Sequence, residues 1–229
     1  MALRLGVDLD GVLADMDSAL AEQAERLFGG AIAEKRHAET APDGAVAVRT
    51  LNLTPPLQRR LWKHVESIEN FWETLEELEP QAIERLATLA AERRWEVMFL
   101  TRRPDTAGVT AQVQTQRWLQ SKGFPLPSVC VVQGSRGRIA AALGLDAVID
   151  DRPENCVDVV VDSQAQAILI WREDESRLPA AARRLGITVV PSMHDCLDVL
   201  IRLDSAAPPE PGVMARVRRL FGVKQPALN

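Results

Sequence analysis

Six short apolar runs recur along the chain, and they constrain its fold more than any other feature. They are continuously apolar instead of alternating, which is typical of parallel strands buried on both faces. Helical patterns separate them, and several of these end at a glycine. This alternation predicts an α/β fold, a doubly wound (Rossmann-like) parallel sheet with right-handed crossovers. The runs are 3–9, 95–101, 128–134, 145–150, 165–171 and 186–191, and the helical patterns between them are 80–94, 105–122, 136–143, 177–185 and 193–203.

Residues 16–79 interrupt this alternation. They contain no convincing parallel strand, but they hold two helical stretches, at about 15–28 and 55–70. An excursion of this length exceeds an ordinary crossover. We interpret residues 16–79 as a small helical cap inserted after the first strand, and residues 1–15 and 80–204 as the core domain.

Composition limits the class of protein. A chain of 229 residues with 46% hydrophobic content buries a core of one domain with an insertion. A net charge of −5 without a basic stripe in the main body argues against binding of a nucleic-acid polymer, but it leaves a small anionic ligand open. No run of 18 apolar residues and no leader pattern occur, which favours a cytoplasmic location. The scattered Cys130, Cys156 and Cys196 are interpreted as reduced core thiols.

The C-terminal residues 205–229 change in character to a Pro-rich linker and a basic tail with apolar residues at helical spacing. We interpret this tail as a short amphipathic helix that docks on its own domain, or as a disordered end. Contact with a membrane surface or a partner is the alternative.

Carboxylates follow two of the predicted strands. Asp8 and Asp10 end the first run, and Asp150 and Asp151 end the fourth. In an open parallel sheet, ligands bind beyond the carboxyl ends of the strands, so these groups are expected to meet. Uncompensated, they would repel one another, whereas Mg²⁺ is commonly held by carboxylates, waters and a substrate phosphate. The charge pattern therefore predicts a Mg²⁺ site.

Three motifs in this order resemble those of the haloacid dehalogenase superfamily, and the resemblance spans about residues 1–200. They are DLDGV at 8–12, the apolar run MFLT that ends at Thr101, and VIDD at 148–151. The resemblance implies a phosphotransferase in which Asp8 is the nucleophile and forms an aspartyl phosphate.

The same resemblance assigns the other roles. Asp10 is the general acid and then the base, and Thr101 hydrogen-bonds the phosphoryl oxygens. Mg²⁺ is bound by Asp8, by the backbone carbonyl of Asp10 and by an acid of the 150–151 pair. The family places a Lys, less often an Arg, before the fourth strand. Arg136 fits this spacing better than Arg138, and an arginine binds phosphate oxygens bidentately.

Other stretches are similar to the 5′(3′)-deoxyribonucleotidase group, namely DGVLAD, IDDRPEN and the segment that begins ENFWETLEELEP. This similarity implies hydrolysis of a nucleoside monophosphate. Phe71 and Trp72 are then candidates for stacking on a base, although packing between cap and body is the commoner role of such a pair. Arg102 is a candidate for binding the substrate phosphate, whereas Arg103 is predicted to lie on the surface.

Three further predictions concern the surroundings. Asp15 is predicted to cap the first cap helix. Asn155 either positions the acidic pair or only starts the next helix. His37, His64 and His194 are interpreted as ordinary surface or cap residues.

Competing functions stay open at this point. A dehalogenase does not need the acid at position 10, and a phosphomutase must return the phosphate to a bound intermediate. A catalytically weak or inactive regulatory protein that binds phosphate or nucleotide is the main alternative to a phosphatase. A cap of this kind is also compatible with a homodimer.

Overall fold

A six-stranded sheet forms the centre of the computed structural model, which describes residues 2–29 and 53–206. All neighbouring strands are parallel, in the order β3-β2-β1-β4-β5-β6. This is the doubly wound order, so the predicted fold class is confirmed. The strands are β1 Arg4–Asp8, β2 Glu96–Thr101, β3 Ser128–Val131, β4 Ala147–Asp150, β5 Gln166–Ile170 and β6 Thr188–Val190.

The helices follow the sequence patterns with three differences. One is a helix at Pro153–Asp162, which is not among the predicted helical patterns. α4 begins at Ala111 and not near residue 105, because Thr110 caps it and the segment before it is bonded to the loop around Asn70 instead. α7 is short because Pro179 has no N–H to continue a helix, and a 3₁₀ turn, Glu175–Arg177, precedes it. The helices are α1 Met16–Phe28, α2 Pro55–Glu66, α3 Ala82–Arg93, α4 Ala111–Ser121, α5 Arg136–Leu143, α6 Pro153–Asp162, α7 Ala180–Arg184 and α8 Met193–Ala206.

The sheet buries both of its faces. Successive residues of β4 point to opposite sides, so Ile149 joins one apolar cluster and Val148 the other. The first cluster continues into α1 and α2 through residues such as Leu20 and Leu61. The helical insertion therefore shares a core with the sheet.

The strand register sets the position of the acidic residues. Asp8 pairs with Leu100 of β2, and Val7 pairs with Ile149 of β4. The carboxyl ends of β1, β2 and β4 thus lie at the same edge of the sheet. β1 and β4 also flank the point where the strand order reverses, which is where ligands bind in open α/β sheets.

A short stem joins the insertion to the sheet. Ala14 and Glu77 form an antiparallel bridge, and beside it Leu78 N donates to Leu13 O at 2.8 Å. The chain therefore enters and leaves residues 16–79 at adjacent points. Asp15 caps α1 by accepting from Ser18 N at 3.0 Å, as predicted.

Parts of the sequence predictions lie outside the described residues. These are the middle of the predicted cap with His37, and nearly all of the C-terminal tail. Among the described helices, none has the length and apolar character needed to cross a bilayer. Cys156 and Cys196 are buried and free, whereas Cys130, predicted to be a core thiol, is only half-buried because it lies on the edge strand β3.

Candidate active site

Three carboxylates meet beyond the ends of β1 and β4. Single oxygens of Asp8, Asp150 and Asp151 all lie within 4.8 Å of one another. Gly11 makes room for this cluster, since a Cβ at that position would lie 2.3 Å from Asp151 Oδ2. Its φ of +87° also favours glycine. Three hard oxygen ligands in this arrangement fit a divalent cation such as Mg²⁺.

The charge of Asp8 is poorly accommodated without a cation. Burial raises the pKa of its carboxyl well above the ordinary value, and the nearby Asp150 and Asp151 raise it further. Arg136 acts in the opposite direction and lowers this pKa, but it does not outweigh the other causes. A bound cation would favour the carboxylate form of Asp8.

Arg136 lies at the centre of the cluster. Its side chain is 2% exposed, Nη2 donates to Asp8 Oδ1, and Nε donates to Asp150 Oδ2 at 3.4 Å. Burial alone would lower the pKa of Arg136, but the two carboxylates raise it. Arg138 is 85% exposed and faces Asp162, so the structure brings Arg136, not Arg138, to the candidate site.

Asp150 is fixed by its own neighbours. Asn155 Nδ2 donates to both of its carboxylate oxygens, at 3.0 and 2.9 Å, and Arg152 N donates to Oδ1 at 2.9 Å. Two roles were predicted for Asn155. Its contact with Asp150 is the one expected if Asn155 positions the acidic pair.

The prediction that Arg103 lies on the surface is wrong. Its side chain is fully buried, and it forms an ion pair with Asp10 at 2.7 Å. The sequence signal was misleading because a charged pair before a proline is typical of an exposed turn. No local pattern identifies its partners, which come from distant parts of the chain.

Thr101, which was predicted to hydrogen-bond the phosphoryl oxygens, contacts Asp10. It is buried, its hydroxyl lies 3.2 Å from Asp10 Oδ2, and it accepts from Arg103 N at 3.2 Å. Having accepted that N–H, the hydroxyl directs its own proton to Asp10. The structure thus brings Thr101 into contact with the predicted general acid.

Phe71 and Trp72, the candidates for base stacking, are both buried in the core. Their rings contact each other edge to face with centroids 5.0 Å apart. Trp72 N and Nε1 donate to Gln114 and to Pro104 O. The base-stacking interpretation is therefore wrong for Trp72, whose ring is enclosed by protein, and the structure favours core packing for the pair.

A cavity opens over the acidic cluster. Arg136 and Arg102 both line it, and each carries a buried nitrogen, Nη1 and Nε respectively, without a hydrogen-bond partner among residues 2–29 and 53–206. Such donors require an acceptor, and a phosphate oxygen is a suitable one. The cavity is lined by Asp8, Asp10, Gly11, Met16, Asp17, Arg102, Arg103, Pro104, Arg136, Asp151, Arg152 and Asn155.

Solved structures with the same fold include hydrolases, one of which is described as a HAD family hydrolase. A hydrolase from Pseudomonas syringae is 20% identical, with a TM-score of 0.51 over 90% of this chain and 100% of its own. A HAD family hydrolase from Deinococcus radiodurans, with bound phosphate and sodium, is 15% identical, with a TM-score of 0.50 over 91% of this chain and 99% of its own. At these identities the similarity shows the fold alone. No curated protein matches the chain.

The doubly wound sheet places the acidic cluster at its switch point, where ligands bind in open α/β sheets. The family model described as "5′ nucleotidase, deoxy (Pyrimidine), cytosolic type C protein" matches residues 2–176, and the chain belongs to this family.

Proposed function

We propose that this protein is a Mg²⁺-dependent phosphomonoester hydrolase that acts through an aspartyl phosphate, with a nucleoside 5′-monophosphate as substrate. The observation that carries the proposal is the position of Asp8. It lies at the end of β1 beside a buried guanidinium, next to two further carboxylates and on the wall of the cavity that Asp10 also lines.

Asp8, Asp150 and Asp151 are the residues that would hold the cation. Their oxygens are close enough to share one ion, and carboxylates are the ligands that Mg²⁺ prefers. When bound, Mg²⁺ neutralises negative charge on the carboxylates and on the phosphate.

Asp8 and Asp10 have different roles in the reaction: Asp8 is the nucleophile, and Asp10 is the general acid and then the general base. In the first step, a carboxylate oxygen of Asp8 forms a bond to phosphorus while the bond from phosphorus to the leaving oxygen breaks. Asp10 gives its proton to that leaving oxygen. In the second step, Asp10 takes a proton from water as the water oxygen attacks phosphorus, and the bond to Asp8 breaks. Inorganic phosphate leaves, and both carboxyl groups return to their initial states.

Arg136 and Arg102 would bind the phosphate. The partnerless nitrogens Nη1 of Arg136 and Nε of Arg102 belong to side chains that line the cavity. The guanidinium of Arg136 also offsets repulsion between Asp8 and an approaching phosphate.

The substrate assignment is supported by the family description, which names a nucleotidase of the cytosolic type. The same description supports a cytoplasmic location. Met16 and Asp17 of α1 line the cavity and are the described residues of the insertion that would face the leaving group.

A phosphate-release assay tests the proposal. Nucleoside 5′-monophosphates and sugar phosphates are compared with Mg²⁺ and with EDTA, for the wild type and Asp8→Asn. We expect Mg²⁺-dependent release from the nucleotides and a loss of at least about 10³-fold in Asp8→Asn, because the variant lacks the nucleophile. Equal turnover in EDTA, or an unimpaired variant, contradicts the mechanism. A preference for sugar phosphates contradicts the substrate.

A further inference from the structure

We propose that Arg103 is a positioning residue that holds Asp10 in the orientation needed to protonate the leaving group. The inference rests on the proposed function, because it assigns Asp10 its role as acid. Neither the sequence motifs nor the family comparison draws attention to Arg103.

The contact between the two side chains is bidentate. Arg103 Nη2 donates to Asp10 Oδ1 at 2.7 Å, and Nε donates to Oδ2 at 3.1 Å and to Oδ1 at 3.0 Å. The parallel arrangement of two N–H groups against two oxygens fixes the plane of the carboxylate as well as its distance.

The guanidinium itself is held on three sides. Its carbon lies 5.0 Å from the ring centroid of Trp72 and 5.6 Å from that of Trp118, and Nη1 donates to Thr115 Oγ1 at 3.0 Å. Thr115 and Trp118 are three residues apart on α4 and so share one face of that helix. Arg103 cannot rotate away from Asp10 without losing all of these contacts.

Burial distinguishes this pair from an incidental surface ion pair. The Arg103 side chain has no exposed surface, and that of Asp10 is 13% exposed. Desolvating an arginine is costly unless the charge is paired and hydrogen-bonded. The exposed remainder of Asp10 lies at the cavity, where the substrate binds.

The hydroxyl of Thr101 adds to this restraint. It donates to Asp10 Oδ2 at 3.2 Å, so each carboxylate oxygen of Asp10 has two contacts with Arg103 and Thr101 together. The two side chains therefore fix the orientation of the Asp10 carboxyl group at the cavity.

Leaving-group dependence is the readout for this role. A nucleoside leaves as an alkoxide that requires a proton, whereas p-nitrophenolate leaves as a stable anion. A misplaced Asp10 should slow the first reaction much more than the second. A merely structural defect lowers kcat/KM for both substrates equally.

The experiment compares Arg103→Met and Arg103→Lys with the wild type on a nucleoside 5′-monophosphate and on p-nitrophenyl phosphate. For Arg103→Met we expect kcat/KM to fall about 100-fold on the nucleotide and less than about tenfold on p-nitrophenyl phosphate. Lysine restores the charge but not the bidentate contact, so it should recover only part of the loss. Arg117→Met is the control, since Arg117 is an exposed arginine on α4 paired with Glu73.

A second comparison places Arg103→Met in an Asp10→Asn background. If Arg103 acts through Asp10, Arg103→Met lowers kcat/KM little further in the Asp10→Asn background. Thr115→Val is the milder variant for the case in which Arg103→Met does not fold. It removes only the acceptor for Nη1, and we expect a smaller loss of kcat/KM, again confined to the nucleotide.

Equal losses on both substrates, or additive losses with Asp10→Asn, overturn the inference. So does a Thr115→Val enzyme with wild-type kcat/KM on the nucleotide, if Arg103→Met is unfolded. A wild type without phosphatase activity overturns the proposed function, and this inference with it. An active wild type that depends on Asp8 but not on Arg103 overturns this inference alone.

Discussion

Arg136 is the residue on which most of the charge in the candidate site depends. It is the cation that contacts both Asp8 and Asp150 in the described part of the chain. Its guanidinium is almost fully buried, so neither the arginine nor its partners are screened by water. Removing it leaves two buried carboxylates facing each other.

Arg136→Met is expected to lower the free energy of unfolding by about 3–5 kcal/mol, because it leaves buried charges without a partner. We also expect phosphatase activity to fall by at least about 100-fold, because a donor to the phosphate is lost. Urea unfolding and the phosphate-release assay measure the two effects. Arg138→Met, two residues away on the exposed face of α5, should change neither quantity.

Wild-type activity in Arg136→Met would show that another group supplies this charge. A change in Arg138→Met as large as that in Arg136→Met would show that the effect belongs to α5 as a whole.

Single residues were predictable where a motif describes them. Asp8, Asp10, Arg136 and the 150–151 pair could be chosen from the sequence because they stand at fixed places beside apolar runs. Arg103 could not, because its burial depends on contacts made across the fold. Asp10 is 93 residues away from it, and the enclosing tryptophans belong to other elements.

The close packing of α5 against α6 sets the position of Arg136. Gly137 faces α6 so closely that an added Cβ would lie 2.0 Å from Asp158 O. Backbone cannot give way as a flexible side chain can, so a larger residue must push the two helices apart. Arg136 is the neighbouring residue and would move with α5.

Gly137→Ala is therefore expected to cost about 1–3 kcal/mol of stability, the usual range for overpacking, and to lower phosphatase activity. Chemical unfolding and the activity assay measure both. Gly134→Ala is a matched control, because nothing lies within 4 Å of a Cβ added there. If both variants behave as the wild type does, the approach of α5 to α6 is looser than described.

At the scale of elements, the apolar runs predicted every strand, because parallel strands buried on both faces carry a strong and local signal. Helix starts were less predictable. The residues before α4 include Gly108, whose φ is +97° and where an added Cβ would lie 2.2 Å from Asn70 Oδ1. They bond to the loop around Asn70 instead of continuing the helix. Such a competition between partners depends on the assembled fold.

The acidic cluster makes the stability of the whole protein depend on pH. The pKa of Asp8 is raised in the folded protein, so the native state holds this proton more tightly than the unfolded chain does. The penalty is therefore absent at pH values below the unfolded pKa of about 3.9, and it grows as the pH rises above that value.

Asp8→Asn should consequently unfold at higher urea concentration than the wild type in EDTA at pH 7, because the variant lacks the buried charge. Asparagine keeps an acceptor for Arg136 but carries no charge. Mg²⁺ should make the wild type more stable than Asp8→Asn. Binding of Mg²⁺ at 100 times its dissociation constant adds about 2.7 kcal/mol to the free energy of unfolding of the wild type. Glu76→Gln removes an exposed carboxylate and should change neither result.

The difference between wild type and Asp8→Asn in EDTA should disappear near pH 4. An Asp8→Asn protein no more stable than the wild type in EDTA, and equally stabilised by Mg²⁺, would place the cation elsewhere.

The stem at Ala14 and Glu77 has a consequence for how this fold can vary. Because the chain enters and leaves the insertion at adjacent points, residues 16–76 form a loop whose two ends are held together at the stem. The entropy of closing a loop changes slowly with its length, by about 0.6 kcal/mol for each doubling. Closure entropy therefore places little restriction on the length of this loop. The restriction comes from the core that α1 and α2 share with the sheet through residues such as Leu20 and Leu61. The surface that would face the leaving group can thus change in size while the carboxylates stay in place, as long as these apolar contacts are kept.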